Sequence, residues 1–572
     1  MSRRASVLAA SVAAAITASV AAVSVVSLQQ PARPPADLVL LNGKIVTLED
    51  SRPEAQAVAV VGDKIADLGS TEDIKRHVGP KTQVIDLKGQ LVIPGFIEGH
   101  GHFGGVGEAK LNLELQNAKS WDEIVAMVEQ AAKKVKPGEW ILGRGWHQEK
   151  WSSPPQPNVE GFPTHASLSR VSPANPVLLT HASGHASFAN AKAMEVSGVT
   201  AKTPNPPGGD FLKDANGEPT GLFRETASGL IRRDRVSAEE RIARSRKGLE
   251  LASQEVLSKG VTSFQDAGSS VSDVDLMKAL IDEGKINVRL WVMLRMNNQA
   301  LAANLAKYRT IDYANGFLTV RGIKKSIDGA LGSRGAWLLE PYSDKPGDTG
   351  RNTTTVEEIR EAAKLAIQHG YQLCVHAIGD RANRETLNIF EEAYKANPDK
   401  KDLRWRVEHA QHLHPSDIPR FGQLGVIASM QGIHCTSDAP YVPARLGDKR
   451  AEEGAYVWQK LMKSGAVVSN GTDAPVEDVS PIASFYATVT RKLKDGRVFY
   501  PDQRMSRVEA LKSYTTNAAY AAFEEGSKGT LKPGKYADLV VLSKDIITVP
   551  DDQIPTAEIL YTIVGGKVRY KK

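Results

Sequence analysis

The strongest constraint on this chain is an ordered series of polar residues, each set at the end of a short apolar run. His100-Gly101-His102 follows Leu91-Val92-Ile93-Pro94-Gly95-Phe96-Ile97. Lys324 lies in Gly322-Ile323-Lys324-Lys325-Ser326-Ile327-Asp328-Gly329. His376 follows Leu373-Cys374-Val375, His409 follows Arg406-Val407-Glu408, and Asp473 follows Asn470-Gly471-Thr472. Parallel β/α barrels build their sites at the C-terminal ends of their strands, so one fold can gather all of these residues. The two imidazoles of His-x-His point the same way on a strand. Imidazole and carboxylate together suit zinc and similar divalent ions. Singly, each residue is ordinary: most His-x-His pairs are incidental, His376 and His409 read as core histidines, and Asp473 reads as a turn residue. The order of the series carries the reading.

That order resembles the amidohydrolase superfamily of metal-dependent hydrolases in its two-metal form. Pro94-Gly95-Phe96-Ile97-Glu98-Gly99-His100-Gly101-His102 is similar to the family's first-strand motif. Four further stretches resemble the branch containing N-substituted formamide deformylases. They are Asp328-Gly329-Ala330-Leu331-Gly332-Ser333, His376-Ala377-Ile378-Gly379-Asp380-Arg381-Ala382, Glu408-His409-Ala410-Gln411, and Gly529-Thr530-Leu531-Lys532-Pro533-Gly534-Lys535-Tyr536-Ala537-Asp538-Leu539. The resemblance runs from residue 37 to residue 572. Glu98 departs from it by standing where the family usually has Asp, and Gly99 and Gly101 replace more common small or β-branched residues.

The resemblance implies two divalent ions, zinc first, with iron, manganese or nickel as alternatives. His100, His102 and Asp473 hold one, and His376 and His409 the other. Strand alternation chooses between the adjacent lysines. Ile323, Lys325 and Ile327 share the face that packs on helices; Lys324, Ser326 and Asp328 share the face turned into the barrel mouth. An ammonium has no acceptor and cannot bind a metal. In the family this lysine takes up carbon dioxide, and the carbamate bridges both ions. The bland alternative is an unmodified Lys324 paired with Asp328.

The chain has 572 residues, 41% hydrophobic and 24% charged, an ordinary balance for a soluble enzyme of more than one domain. The formal charge of +6 is spread out, with no basic run beyond Lys571-Lys572, which argues against nucleic-acid binding. The two cysteines, Cys374 and Cys435, are read as free thiols in the barrel wall, both on strands. At the N-terminus, Ser2-Arg3-Arg4 precedes an uncharged Ala-, Val- and Ser-rich stretch from Ala5 to Leu28. This is the pattern of a signal peptide over residues 1–28, followed by a Pro-rich linker over 29–36. Export to a periplasm is expected, with secretion or an uncleaved anchor as alternatives and no stable membrane association after cleavage.

Residues 37–92 and 530–572 each carry a few short strands separated by turns such as Asn42-Gly43 and Gly565-Gly566. Neither set makes a stable sheet alone, so both termini are expected to form one composite β-sandwich. Between them, over 93–529, strand and helix patterns alternate. Examples are Val288–Met293 as strand and Val356–His369 as helix. This predicts an α/β fold, a (β/α)8 TIM-like barrel. The stretch from about 105 to 225, rich in Pro, Gly, Trp and His, breaks the rhythm and reads as an insertion after barrel strand 1, over the mouth.

Within the insertion, Trp146 and Trp151 read as an aromatic wall, or equally as insertion core. His185 and Arg224 read as contacts to a substrate carbonyl or carboxylate, with Arg224 paired to Glu225 or Asp210 as the plain alternative. His434 follows the seventh predicted strand and is placed to polarise a carbonyl or stabilise an oxyanion. By resemblance, two ions roughly 3.5–4 Å apart supply hydroxide from a bridging water. Asp473 takes its proton and passes it to the leaving nitrogen. The function expected is hydrolysis of a carbon–nitrogen bond in a small amide, not a peptide bond. A lactonase or esterase, or a non-catalytic exported binding protein, are the rivals. Barrels of this kind commonly dimerise, so a homodimer is also an expectation.

Overall fold

The computed structural model describes residues 35–232 and 237–572. The expected signal peptide, and the linker up to residue 34, lie outside them. Eight parallel strands follow one another around a barrel sheet in chain order. They are Phe96–Gly101, Val261–Ser269, Arg289–Leu294, Leu318–Ser326, Gln372–Ala377, Arg406–His409, Ile427–Gln431 and Val468–Gly471. The sheet is nearly closed. At the seam, Asp473 N–H donates to His100 O (2.8 Å) and His102 N–H donates to Ala474 O (2.7 Å). Close approach there requires glycine: a Cβ on Gly99 would sit 2.4 Å from Asn470 O.

The helices between strands form for local reasons. In Val356–His369, Ile359, Ala362, Ala363 and Ala366 recur at helical spacing and are buried against the barrel. Thr355 and Glu358 make a reciprocal capping box, and Gly370 ends the helix in the left-handed conformation, φ 67°. The outward strand residues Ile323, Leu373, Val375 and Val407 complete this layer of the core. Cys374 and Cys435 are free and buried. Cys374 lies on the fifth strand, but Cys435 does not lie on a strand: it belongs to the helix Gly432–Asp438, because the chain turns helical directly after Gln431.

Both termini build the sandwich. One sheet orders Lys64–Gly69, Ala57–Val61, Leu38–Leu41 and Gln83–Asp86. The other orders Lys567–Lys571, Ile559–Val564, Leu539–Leu542, Leu91–Pro94, Lys44–Val46 and Glu54–Ala55. Val92 and Ile45 from one end pack with Leu539, Val541 and Ile563 from the other. The insertion after the first barrel strand is more than a cover. It holds its own six-stranded mixed sheet, including Ile141–Trp146, Val177–His181, Ala186–Ala189 and Pro219–Glu225, over a separate core with Trp121, Leu179 and Phe188. Among the described residues, no helix is long and apolar enough to cross a membrane.

Arg289 at the base of the third barrel strand fastens barrel to sandwich. Its Nε lies 2.7 Å from Asp538 Oδ2, its Nη1 donates to Asn315 O (2.6 Å), and its guanidinium stacks 3.7 Å from the Tyr536 ring. Removing one partner of a buried pair strands the other's charge, at a cost of about 3–5 kcal/mol. Arg289→Ala should therefore lower the thermal denaturation midpoint clearly; an unchanged midpoint would show that the pair adds nothing.

Candidate metal centre

The seam sets the first part of the site. His100 and His102, alternate residues across the end of the first strand, meet Asp473 beyond the eighth. Asp473 Oδ1 is 3.2 Å from His102 Nε2 and 3.5 Å from His100 Nε2. The His409 ring centroid lies 4.6 Å from that of His100 and 4.5 Å from that of His376. Lys324 Nζ reaches to 3.4 Å from His100 Nε2, in the middle of the group. Lys325 instead donates to Met296 O (3.0 Å), so alternation separates the two lysines. Lys324 does not pair with Asp328, whose oxygens accept the N–H groups of Ile378, Gly379 and Trp337 (2.8–3.0 Å). All six expected residues converge.

These residues fit a metal. One donor atom each from His100, His409 and Asp473 lie within 4.8 Å of one another. Ligation needs neutral imidazole. Burial, with the Lys324 charge adding to it, pushes His100 down to about 4. Burial likewise holds His376 and His409 well below the usual range. His376 Nε2 and His434 Nε2 are buried without a hydrogen bond. The Asp473 carboxyl is held well below its usual range: burial opposes this, but the hydrogen bond from His102 and the surrounding imidazoles outweigh it. Two candidate ligands have left-handed backbone, His409 at φ 76° and Asp473 at φ 58°, which turns both side chains inward where regular strand geometry would not.

A polar layer beneath aims the ligands. His100 Nδ1–H donates to Glu408 Oε2, and Glu408 Oε1 lies 2.7 Å from Arg406 Nε. Arg406 also donates to Gly99 O and Ser429 Oγ, both at 2.7 Å. His409 Nδ1–H donates to Gln431 Oε1 (2.8 Å). Each contact fixes the tautomer and leaves Nε2 free to bind, the usual office of a carboxylate or carbonyl behind a ligand histidine. Sequence reasoning did not assign Arg406, Glu408 or Gln431 these roles. A signal was available: Arg406 and Glu408 alternate on one strand face, and such charges on a buried strand need partners. Glu98 fastens the seam, accepting from Thr472 N (2.5 Å) and Thr472 Oγ1 (2.9 Å); burial pushes its carboxyl up to about 8.

Comparison with known proteins decides the family. A sequence profile of the amidohydrolase family matches residues 83–570. The chain belongs to the amidohydrolase family. It is 34% identical to the Protein LONG AFTER FAR-RED 3 of Arabidopsis thaliana, over 95% of this chain and 93% of that protein. It is 27% identical to the N-substituted formamide deformylase of Arthrobacter pascens, over 94% of this chain and 98% of that protein. The crystal structure of an uncharacterized metal-dependent hydrolase from Pyrococcus horikoshii OT3 superposes with a TM-score of 0.71 at 26% identity, over 90% of this chain and 99% of that one. The protein is a metal-dependent hydrolase of this family.

Above the ligands an open cavity of about 630 Å³ is walled by barrel and insertion. His185 reaches it: its ring lies 5.1 Å from that of His376, and its Nδ1 lies 2.7 Å from Glu225 Oε2. Burial opposes protonation of His185, but Glu225 outweighs it and raises the pKa. His434 borders an adjoining recess with its Nδ1 accepting from Gln411 Nε2 (2.9 Å) and its Nε2 4.0 Å from Asp473 Oδ2. Trp146 and Arg224 are placed elsewhere. Trp146 is fully buried in the insertion core, its Nε1–H donating to Leu179 O (2.9 Å) and its ring stacked on Trp151. A register shift between Arg144 and Trp146, with Gly145 at φ 108°, turns the tryptophan inward. Arg224 is held by Asp210 and by Glu160 (3.1 Å), on the strand face away from the cavity; its neighbour Glu225 faces the site.

Replacing Glu408 by Gln removes the charge behind His100. Loss of such a supporting contact typically weakens metal binding by about 10–100-fold. Zinc titration of the metal-free variant, with circular dichroism to check folding, should show this; parental affinity would mean that Glu408 does not orient the ligand.

Proposed function

We propose that this protein is an exported hydrolase of carbon–nitrogen bonds in small non-peptide amides, with Asp473 moving the proton. The Asp473 carboxylate carries the reading: it is buried, ionised, turned inward by left-handed backbone, and faces both the imidazoles and the cavity. In this reading His100, His102 and Asp473 would hold one divalent ion, zinc by preference, and His376 and His409 a second, with Lys324, once carboxylated, as a further ligand. The ions supply a Lewis acid for the substrate carbonyl and lower the pKa of water towards neutrality. Carboxylation requires the neutral amine, and burial brings Lys324 down to about 8, so that form is accessible near neutral pH.

Asp473 accepts the proton of the attacking water and returns it to the departing nitrogen, because an amine leaves poorly without one. His434 serves the carbonyl oxygen. Its Nδ1 accepts from Gln411, so its proton sits on Nε2, where it can donate to developing negative charge. His185, held by Glu225, offers a second donor on the insertion side. The similarity to the Arthrobacter pascens enzyme supports an amide over an ester. The segment before residue 29 supports export, on its charged start and apolar run.

Purified protein lacking residues 1–28 should carry about two metal ions per chain, and Lys324→Ala clearly fewer. Metal-loaded Asp473→Asn should lose about 10²–10⁴ in kcat on N-substituted formamides or N-acyl amines, with KM nearly unchanged. Turnover of lactones alone, or an undiminished kcat in the variant, would overturn the assignment. Cell fractionation of the full-length chain should place it in the periplasm with its N-terminus trimmed; full-length protein in the cytosol would end the export reading.

A further inference from the structure

Two arginines, Arg144 and Arg295, line the cavity above the candidate ligands with no carboxylate in hydrogen-bond contact. Arg144 enters from the insertion strand Ile141–Trp146, on the face opposite Trp146. Its Nη2 donates to Ala182 O (3.2 Å), while its Nε is buried without a partner. Arg295 directly follows the third barrel strand, at the end where barrel sites form. Among the described residues its guanidinium has no hydrogen-bond or ion-pair partner, and it faces the cavity. Its position is built: Gly268, at φ 139°, leaves the space that the Arg295 stem fills, and a Cβ there would meet Arg295 Cδ at 2.7 Å.

The acids around the cavity are engaged elsewhere. Glu225 holds His185, Asp328 accepts three backbone N–H groups, and Glu358 closes the capping box with Thr355. Asp473, whose charge acts on both arginines, belongs to the candidate ligand group, and Asp266, whose charge acts on Arg295, accepts from Phe103 N–H and Ser269 O–H. Arg295 is exposed to the cavity, and Arg144 is half-buried with its Nε shut off from water and unpartnered, a group whose lost solvation nothing in the protein replaces. Burial accordingly pushes Arg144 below its usual range. A planar fork of donors recognises a planar carboxylate best.

We propose that Arg144 and Arg295 form an anion subsite, so that the preferred substrates are amides bearing a carboxylate, of the N-acyl amino acid class. This rests on the amide reading above and narrows it. The two arginines, not Arg224, are the substrate's anion contacts, and the carboxylate lies on the side between insertion and third strand while the scissile carbonyl faces Asp473.

The test reads binding, so that it does not depend on turnover. Metal-loaded protein is titrated calorimetrically with N-acetylphenylalanine, with its uncharged carboxamide, and with the matching aminophosphonate. The acid should bind at least about tenfold tighter than the carboxamide, the size of one charge-assisted interaction. In Arg144→Met/Arg295→Met that preference should fall to near unity with metal content unchanged. Should the double variant not fold, Arg295→Met alone, whose side chain makes no hydrogen bond to the protein, should cut the preference at least about threefold. Equal binding of acid and carboxamide by the parent would overturn the proposal. So would a preference that survives in the variants, which would place the carboxylate on the metal. Tighter binding of the phosphonate would overturn the carboxylate assignment. Failure of every amide to turn over, with the binding preference intact, would count against the amide reading and leave the subsite standing.

Discussion

The seam between the first and eighth barrel strands is the constraint on which the site depends. The two strands share no regular ladder among the described residues, and they meet through a few bonds at their C-terminal ends. His100 O accepts from Asp473, Ala474 O accepts from His102, and Glu98 accepts twice from Thr472. These bonds place residues far apart in the chain within reach of one ion. They are short because Gly99 has no side chain to hold the strands apart. A family preference for Asp at position 98 is met here by a longer carboxylate that still reaches its partner.

Under the ligands, Arg406 and Glu408 form a fully buried ion pair. Such a pair contributes little net stability, since desolvating both charges costs about as much as their attraction returns. Its value lies in direction. Glu408 fixes the His100 ring through Nδ1, and Arg406 ties the same carboxylate to Gly99 and Ser429, so the first, sixth and seventh strands are held in one register around the ligand. The positive-φ backbones of His409 and Asp473 are sustained against strain of about 1–3 kcal/mol each by this surrounding framework.

The insertion decides what can approach the ligands. It has a core of its own, and so behaves as a rigid wall with some side chains turned towards the cavity and others away. One register shift exchanges Arg144 for Trp146 at the cavity face, and strand alternation exchanges Glu225 for Arg224. The wall is therefore charged where an aromatic surface was expected. With the barrel it gives a cavity that combines a candidate ligand cluster, a His–Glu pair and two arginines with no carboxylate in hydrogen-bond contact.

Much was legible in the sequence. Hydrophobic periodicity located Val356–His369 at its observed bounds, and the order of His100, His102, Lys324, His376, His409 and Asp473 pointed to the barrel and to the group that converges. Period-2 alternation even separated Lys324 from Lys325. These succeed because side-chain direction within a regular strand is a local property. What only the tertiary structure decided lies where regularity fails or where partners come from distant segments. The inward turn of His409 depends on a positive φ, the burial of Trp146 on a bulge, and the helical placement of Cys435 on an abrupt end to the seventh strand. Whether an arginine is spent on a neighbour, as Arg224 is on Asp210, or left open to the cavity, as Arg295 is, depends on which distant side chains the fold brings beside it, and no local pattern encodes that.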